Sequence, residues 1–158
     1  MPTTPISEEQ AYQKLSAQCA AQELCVDDIR RKLQRWTLVG DADALIDRLI
    51  DERFIDEHRF ARAFALDKFR YNHWGREKIR MEMKLRHIPS SDIDYGLSEI
   101  PQEEYMEMLQ RLIASKRPTV KGQSEYEINQ KLIRYALGKG FLMDEILKII
   151  DSSAISIQ

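Results

Sequence analysis

Cysteine, glycine and proline are scarce in this sequence, which contains two, six and five of them among 158 residues. Cys19 and Cys25 have a spacing that matches no zinc-binding pattern, so we expect two reduced thiols packed as small apolar groups. No apolar run approaches the roughly 20 residues that a membrane-spanning helix needs. The opening stretch MPTTPISEEQ also lacks the apolar segment of a secretory signal. These absences predict a cytoplasmic protein without membrane contact.

Signatures of catalysis are also missing from the sequence. No glycine-rich phosphate-binding loop is present, and Lys121–Gly122 is an isolated pair with no strand before it. His58, His73 and His87 do not have the spacing of a metal-binding motif, so we expect them to be solvated or to cap helices. No serine stands in a nucleophile-elbow pattern. We therefore predict that the protein is not an enzyme, has no catalytic residues, metal site or cofactor, and acts through its surface.

Helix-forming and charged residues are abundant in the chain. Hydrophobic residues make up 43% and charged residues 32% of it. The many Glu, Lys, Arg, Leu and Ala, with few turn formers, predict an all-α protein. An internal repeat supports this, because residues 10–50 align with 60–100, and 79–97 align with 132–150. Two of the aligned apolar sets are Ile29, Ile79 and Leu132, and Leu33, Met83 and Ala136.

The internal repeat divides the single chain into three repeats of three helices each. Their predicted bounds are about 7–54, 55–100 and 101–151, followed by a short tail at 152–158. A three-helix unit of this size buries its apolar face by stacking on a neighbour. We therefore expect a tandem array of three helix-turn-helix-like repeats, elongated and curved.

Local signals in the third repeat predict helix ends and a loop. Ser124 and Glu127 are placed to form a capping box at a helix start. Gly138 and Gly140 are expected to end that helix. The segment 116–123 contains Pro and Gly and is the one long connection, which we expect to be a flexible loop.

A basic and aromatic segment lies in the middle repeat of a chain whose formal net charge is -2. Residues 59–88 contain nine Lys or Arg against three acids. If the second half of this segment is helical, at roughly 100° per residue, Ile79 and Met83 face the core. Met81 and Leu85 then form a second apolar pair on the far side, which we expect to pack on an adjacent repeat.

A row of positive charge is predicted beside that core face, because Arg76, Arg80 and Lys84 are spaced four residues apart. We call these three residues the basic ridge and predict that it binds a partner. The full set of candidate partner-binding residues is Arg59, Arg70, Trp74, Arg76, Arg80 and Lys84. A lone tryptophan at a helix start is more often half-buried packing, which is the alternative for Trp74. The alternative for the ridge is a solvated surface.

The middle of the sequence resembles the RecX family. The stretch IDEHRFARAF at 55–64 is similar to the family's acid-x-x-Arg-Phe-Ala start, and WGREKIRMEMKLRHI at 74–88 is similar to its Gly followed by a basic helix. The residues expected to carry this motif structurally are Asp56, Phe60, Ala61, Gly75 and Ile79. Weaker similarity extends over about residues 10–150. Thr37 and His87 stand where the family has Gly, so those turns are expected to differ locally.

The resemblance implies a regulator of the RecA recombinase. Such a protein binds the RecA–DNA filament and inhibits or modulates its recombinase, ATPase and co-protease activities in DNA repair and the SOS response. The resemblance further implies a curved stack of repeats lodged in the filament groove, without a cofactor. DNA in that groove would add a weak contact with single- or double-stranded DNA. We expect the protein to be a monomer.

Two other functions are compatible with the same residues. The three-helix repeats have a size suited to direct DNA binding without a RecA partner, although domains that read DNA usually carry a net positive charge. The protein could also be a generic helical adaptor whose basic segment is only a solvated surface. The salt dependence of binding to DNA alone separates direct DNA binding from filament binding.

Overall fold

Nine α-helices joined by short turns form nearly all of the regular structure in the described residues. The computed structural model describes the backbone of residues 4–157 and the side chains of residues 4–150. The helices are α1 (Glu8–Ala21), α2 (Val26–Arg35), α3 (Ala42–Asp51), α4 (Glu57–Asn72), α5 (Arg76–Leu85), α6 (Ser90–Ser98), α7 (Gln102–Lys116), α8 (Glu125–Lys139) and α9 (Met143–Ile157). The prediction of an all-α chain of three-helix repeats is confirmed.

Serine side chains cap the starts of α1 and α8, as the sequence indicates. Before α1, the Ser7 hydroxyl accepts from the Gln10 amide at 3.2 Å, and the Gln10 side chain accepts from the Ser7 amide at 3.1 Å. Before α8, the Ser124 hydroxyl accepts from the Glu127 amide at 3.1 Å. The Glu127 carboxylate instead accepts from the Gln123 amide. The first capping box is therefore complete, and the second is closed one residue earlier than predicted.

The ends of α2, α5 and α8 share one backbone conformation. Thr37, His87 and Gly140 follow these helices with φ angles of 54°, 60° and 103°. Each donates its amide to a carbonyl three residues back, which satisfies a helix-terminal acceptor. The expectation that the turns without glycine differ locally is therefore wrong, because the repeat keeps the left-handed turn whatever residue occupies it. Gly138 lies inside α8, so of the two predicted glycine stops only Gly140 ends the helix.

The structure contains a short parallel strand pair that was not predicted from the sequence. The strands β1 (Ile6–Ser7) and β2 (Leu38–Val39) pair with Ile6 opposite Leu38. The Ile6 amide also donates to the Thr37 carbonyl at 3.2 Å. Two-residue strands carry no alternating pattern, so periodicity could not predict them.

The predicted loop at 116–123 is partly helical and is held by side chains. A 3-10 turn, Arg117–Thr119, follows α7 directly. The Arg117 guanidinium donates to Glu125 and to Asn129, both at 3.0 Å. The Lys131 ammonium donates to the Lys121 carbonyl at 2.5 Å. These contacts hold the segment 116–123 against α8.

The chain forms two compact units. The first contains Met1–Phe64 and Met83–Gly96, and much of its core comes from α1 to α3 and the residues around them. The members of this cluster are Ala11, Tyr12, Leu15, Cys19, Leu24, Ile29, Leu33, Leu45, Ile46, Leu49 and Ile55. Cys19 and Cys25 are buried free thiols, as predicted. Burial is the main cause that raises the pKa of Cys25 to about 12, so it packs as a neutral apolar group.

The second compact unit contains Ala65–Glu82 and Leu97–Gln158. Its core includes three aromatic rings, with the Tyr105 ring 5.6 Å from that of Phe69 and 5.0 Å from that of Phe141. The middle repeat therefore contributes residues to both units, and the predicted repeat bounds and overall curvature stay predictions. The predicted tail at 152–158 has helical backbone through Ile157. Its side chains and Gln158 lie outside the described residues.

Candidate interaction surface

The start of α4 is fixed by the motif residues of the middle repeat. The Asp56 carboxylate accepts from the Arg59 amide at 3.0 Å, which caps the helix. Phe60 and Ala61 are buried in the next turn. A Cβ added at Gly96 of α6 would lie 2.6 Å from the Ala61 carbonyl oxygen. The two helices can therefore approach this closely only because Gly96 has no side chain.

The start of α5 is fixed by a backbone contact with the end of α8. The Gly75 amide donates to the Lys139 carbonyl at 2.7 Å, and the Glu77 amide donates to the Gly140 carbonyl at 3.0 Å. A Cβ added at Gly75 would overlap the Gly140 carbonyl and lie 2.5 Å from the Phe141 amide nitrogen. Glycine at position 75 is therefore required by packing.

Helix α5 has one buried face and one exposed apolar pair. Ile79 and Met83 are fully buried, so the predicted core face is confirmed. Met81 and Leu85 are 64% and 65% exposed. The expectation that this pair packs on an adjacent repeat is therefore wrong. The helical period alone separates the pair from the core face, but it does not supply a neighbour that covers it.

Arg76, the first residue of the basic ridge, takes part in packing. Its guanidinium carbon lies 4.0 Å from the Tyr105 ring centroid. It also donates to the Gln102 side chain at 2.8 Å and to the Ile100 carbonyl at 3.0 Å. The Tyr105 hydroxyl accepts from the Arg76 amide at 2.9 Å, and burial raises the pKa of this hydroxyl. Much of the hydrogen-bonding capacity of Arg76 is thus used inside the second compact unit.

The other two ridge residues lie further along α5. The Arg80 guanidinium lies 3.6 Å from the Glu77 carboxylate, one turn back, and its side chain is 33% exposed. Lys84 is exposed and forms no ion pair with the described residues. The four-residue spacing therefore gives a row on one helix, in which Lys84 is exposed and Arg80 is partly exposed.

Arg59 and Arg70 of α4 each bind an acid from another helix or turn. Arg59 donates to the Glu23 carboxylate at 2.6 Å, and Arg70 donates to both oxygens of Glu104 at 3.1 and 3.3 Å. In both cases the hydrogen bond to the carboxylate is the main cause that raises the pKa of the arginine. These two candidate residues therefore have structural ion pairs.

Trp74 is half-buried between two lysines that the sequence analysis did not single out. The ammonium groups of Lys68 and Lys78 lie 5.1 and 4.7 Å from its ring centroid. The Lys139 ammonium donates to the nearby Asn72 carbonyl at 3.2 Å. Lys78 lies only four residues after Trp74, in the first turn of α5, and this short spacing could have indicated the contact. The contact of Lys139 with Asn72 could not have been predicted, because the two residues are distant in sequence.

Two of the three histidines, His58 and His87, have side chains within hydrogen-bond distance of a carboxylate. The Nδ1 atom of His58 lies 3.1 Å from the Asp92 carboxylate, and its ring stacks on Tyr95 at 3.6 Å. The Nδ1 atom of His87 lies 3.1 Å from the Asp27 carboxylate. Among the described residues, no cluster of His, Cys, Asp or Glu is arranged to hold a metal ion. Within the same residues, no helix has the length and apolar character to cross a membrane.

Two family models match the helices described above. The model of the second three-helix domain of RecX matches residues 56–97, which contain α4, α5 and all but the last residue of α6. The model of the third three-helix domain of RecX matches residues 102–150. The chain belongs to the RecX family. The first match contains all six candidate partner-binding residues.

Similarity to individual RecX proteins supports this membership. The chain is 28% identical over 150 residues to the regulatory protein RecX of Vibrio campbellii, and the match covers 85% of this chain and 93% of that protein. It is 26% identical over 109 residues to the regulatory protein RecX of Leuconostoc mesenteroides, covering 69% of this chain but 41% of that longer protein. The relatives are thus named as regulatory proteins and not as enzymes.

A solved RecX structure has the same fold. The crystal structure of RecX from Lactobacillus salivarius superposes with a TM-score of 0.82 over 94% of this chain and 97% of that chain, at 18% sequence identity. At this identity the likeness establishes the helical repeat fold.

Proposed function

We propose that this RecX-family chain binds the RecA–DNA filament and inhibits or modulates its recombinase, ATPase and co-protease activities. The observation that carries the proposal is the match of the second RecX domain to residues 56–97, which include the accessible cations of α5. We further propose that the protein acts as a monomer in the cytoplasm, without a cofactor of its own.

The charge distribution supports a partner that contains both protein and nucleic acid. The chain as a whole is slightly acidic, with formal net charge -2, which disfavours tight binding to DNA alone. Arg80 and Lys84 provide local positive charge on one helix. Both are accessible enough for their interaction with phosphates or carboxylates to weaken as salt rises.

The first test is the rate of ATP hydrolysis by RecA on single-stranded DNA, with this protein added at substoichiometric amounts. We expect inhibition that deepens with the amount added. An unchanged rate, with the same RecA responding to a known inhibitor, would refute the proposed function.

The role of the basic ridge is tested with the double substitution Arg80→Glu and Lys84→Glu. Arg76 is left intact, because its contacts with Tyr105 are part of the packing. We expect at least tenfold weaker inhibition of ATP hydrolysis with unchanged helicity. The matched control is Arg111→Glu with Lys121→Glu, which makes the same charge change at exposed positions elsewhere. Full inhibition by the ridge variant would remove the ridge from the proposed surface.

Direct DNA binding is a second candidate function, favoured by the surroundings of Trp74. An aromatic ring with two lysine ammoniums close to it is the kind of arrangement that stacks a base and binds phosphate. This function predicts tight binding to a labelled oligonucleotide, with an affinity that falls steeply with salt. Weak binding to DNA alone in a fluorescence anisotropy titration at two salt concentrations would exclude it.

A further inference from the structure

Three lysines are gathered near Trp74 in the second compact unit. The ammonium groups of Lys68 and Lys78 lie 5.1 and 4.7 Å from the Trp74 ring centroid. The ammonium of Lys139, at the end of α8, donates to the Asn72 carbonyl at 3.2 Å. We call Lys68, Lys78 and Lys139 the lysine cluster. Its members come from α4, α5 and α8, and all of them belong to one compact unit.

The lysine cluster carries positive charge that the described residues do not fully neutralise. Lys78 and Lys139 form no ion pair with any of those residues. Glu77, the acid directly before Lys78, lies 3.6 Å from Arg80 instead. The tryptophan ring attracts ammonium groups and keeps Lys68 and Lys78 close together in spite of their repulsion. An anion bound at the cluster would offset that repulsion, so the cluster is suited to an anionic ligand.

An exposed aromatic ring lies beside the cluster. Tyr71 is 80% exposed and follows Lys68 by three residues on α4, which makes the two side chains neighbours on the helix surface. Unstacked bases of a single strand pack against such rings while lysines bind the phosphates. The bases of a duplex are already stacked on each other and reach a ring only after costly unstacking. The ring and the lysines together therefore fit a single-stranded nucleic acid.

We propose that Tyr71 and the lysine cluster bind single-stranded DNA, with a base stacked on Tyr71 and phosphates paired with the lysines. The inference rests on the proposed function for the source of the strand, which is the DNA of the filament, and names the residues that contact it. A site with few phosphate contacts binds weakly by itself and adds to the affinity that contacts with the protein subunits provide. An acidic peptide would pair with the lysines but would place no flat ring on Tyr71.

The first test measures the Kd of the full chain for a labelled oligothymidylate by fluorescence anisotropy at low salt. Lys68→Gln with Lys78→Gln should bind roughly tenfold more weakly, and the slope of log Kd against log salt should fall by about 0.7 for each phosphate contact that is lost. The control, Lys14→Gln with Lys121→Gln, removes the same charge at exposed positions and should bind as the wild type does. It is matched because the Lys14 ammonium also lies near a tryptophan ring, 4.8 Å from the centroid of Trp36. Equal Kd values for the cluster variant and the wild type would overturn the inference.

The role of Tyr71 is tested with Tyr71→Ala. Tyr126→Ala is the matched control, because Tyr126 is 74% exposed and belongs to the same compact unit. We expect roughly tenfold weaker binding to the single strand for Tyr71→Ala and no change for the control. The wild type should also bind the single strand more tightly than a duplex of the same length. Wild-type affinity of Tyr71→Ala, tighter binding to the duplex, or displacement of the strand by an equal charge of polyglutamate would each overturn the inference.

Tryptophan fluorescence shows whether the strand binds at this site. In Trp36→Phe, where Trp74 is the only tryptophan, oligothymidylate should change the emission, whereas Trp74→Phe should show no response. A response of Trp36 without one of Trp74 would overturn the inference. Inhibition of RecA without a Trp74 response would leave the proposed function standing and remove this site from it. A Trp74 response with an unchanged rate of RecA ATP hydrolysis would refute the proposed function and keep the strand-binding site.

Discussion

Replacement of Gly75 by Ala tests the backbone contact that positions α5. The new Cβ would overlap the Gly140 carbonyl and lie 2.5 Å from the Phe141 amide nitrogen. Neither group is the end of a flexible side chain, so the two segments must move apart. That movement lengthens two hydrogen bonds, from the Gly75 amide to Lys139 and from the Glu77 amide to Gly140.

The loss in the free energy of unfolding can be estimated from the two weakened hydrogen bonds and the crowded methyl group. Each backbone hydrogen bond contributes about 1 kcal/mol net, and forcing an extra methyl into a packed contact typically costs about 1–3 kcal/mol. The lower conformational entropy of alanine in the unfolded chain offsets about 0.5–1 kcal/mol of this. We therefore expect Gly75→Ala to lower the free energy of unfolding by ~3 kcal/mol. A domain of this size then loses roughly 6–12 °C in Tm.

The measurement is urea unfolding followed by circular dichroism, with Gly138→Ala as the matched control. Gly138 lies inside α8, is exposed, and has nothing within 4 Å of the position of an added Cβ. The same chemical change there should stabilise the protein by about 0.5–1 kcal/mol, because alanine favours the helix. Equal urea midpoints for Gly75→Ala and the wild type would refute the packing argument.

Two further substitutions test other parts of the first compact unit. Thr37→Gly should raise the free energy of unfolding by about 1 kcal/mol, because a β-branched residue is strained at a φ of 54°; a urea midpoint no higher than that of the wild type would contradict this. Glu57→Gln should stabilise the protein more near about pH 7 than near about pH 4. Burial, followed by the charges of Asp92, Asp28 and Asp27, raises the pKa of Glu57. The folded state thus disfavours the ionised form, and the stability contributed by this group is lost as pH rises through its folded pKa. A difference in urea midpoint that does not change with pH would refute this explanation.

The repeat and its core could be predicted because burial imposes a periodic pattern on sequence. Ile29, Ile79 and Leu132 occupy equivalent positions, and all three are fully buried. The left-handed turns that end α2, α5 and α8 were harder to predict, since only one of them uses glycine. Thr37 and His87 keep the conformation without it, so the repeated backbone geometry outweighs the local preference of these residues.

The surface could not be predicted in the same way. The spacing of Arg76, Arg80 and Lys84 correctly placed them in a row on one helix. It could not show that the Arg76 guanidinium packs on the Tyr105 ring, because Tyr105 is distant in sequence. The exposure of Met81 was missed for a related reason, because a helical period separates the faces of a helix but does not state which face another element covers.

The orientation of α5 is set by the core of the second compact unit. Gly75, Arg76 and Glu77 donate their amides to the Lys139 carbonyl, the Tyr105 hydroxyl and the Gly140 carbonyl, respectively. Donors at the start of a helix have no partner within the helix, so these acceptors fix where α5 begins and how it is turned. The direction of the basic ridge follows from that rotation. A substitution at the Gly75 contact should therefore impair partner binding together with stability, whereas a substitution at Arg80 or Lys84 of the ridge should impair binding alone.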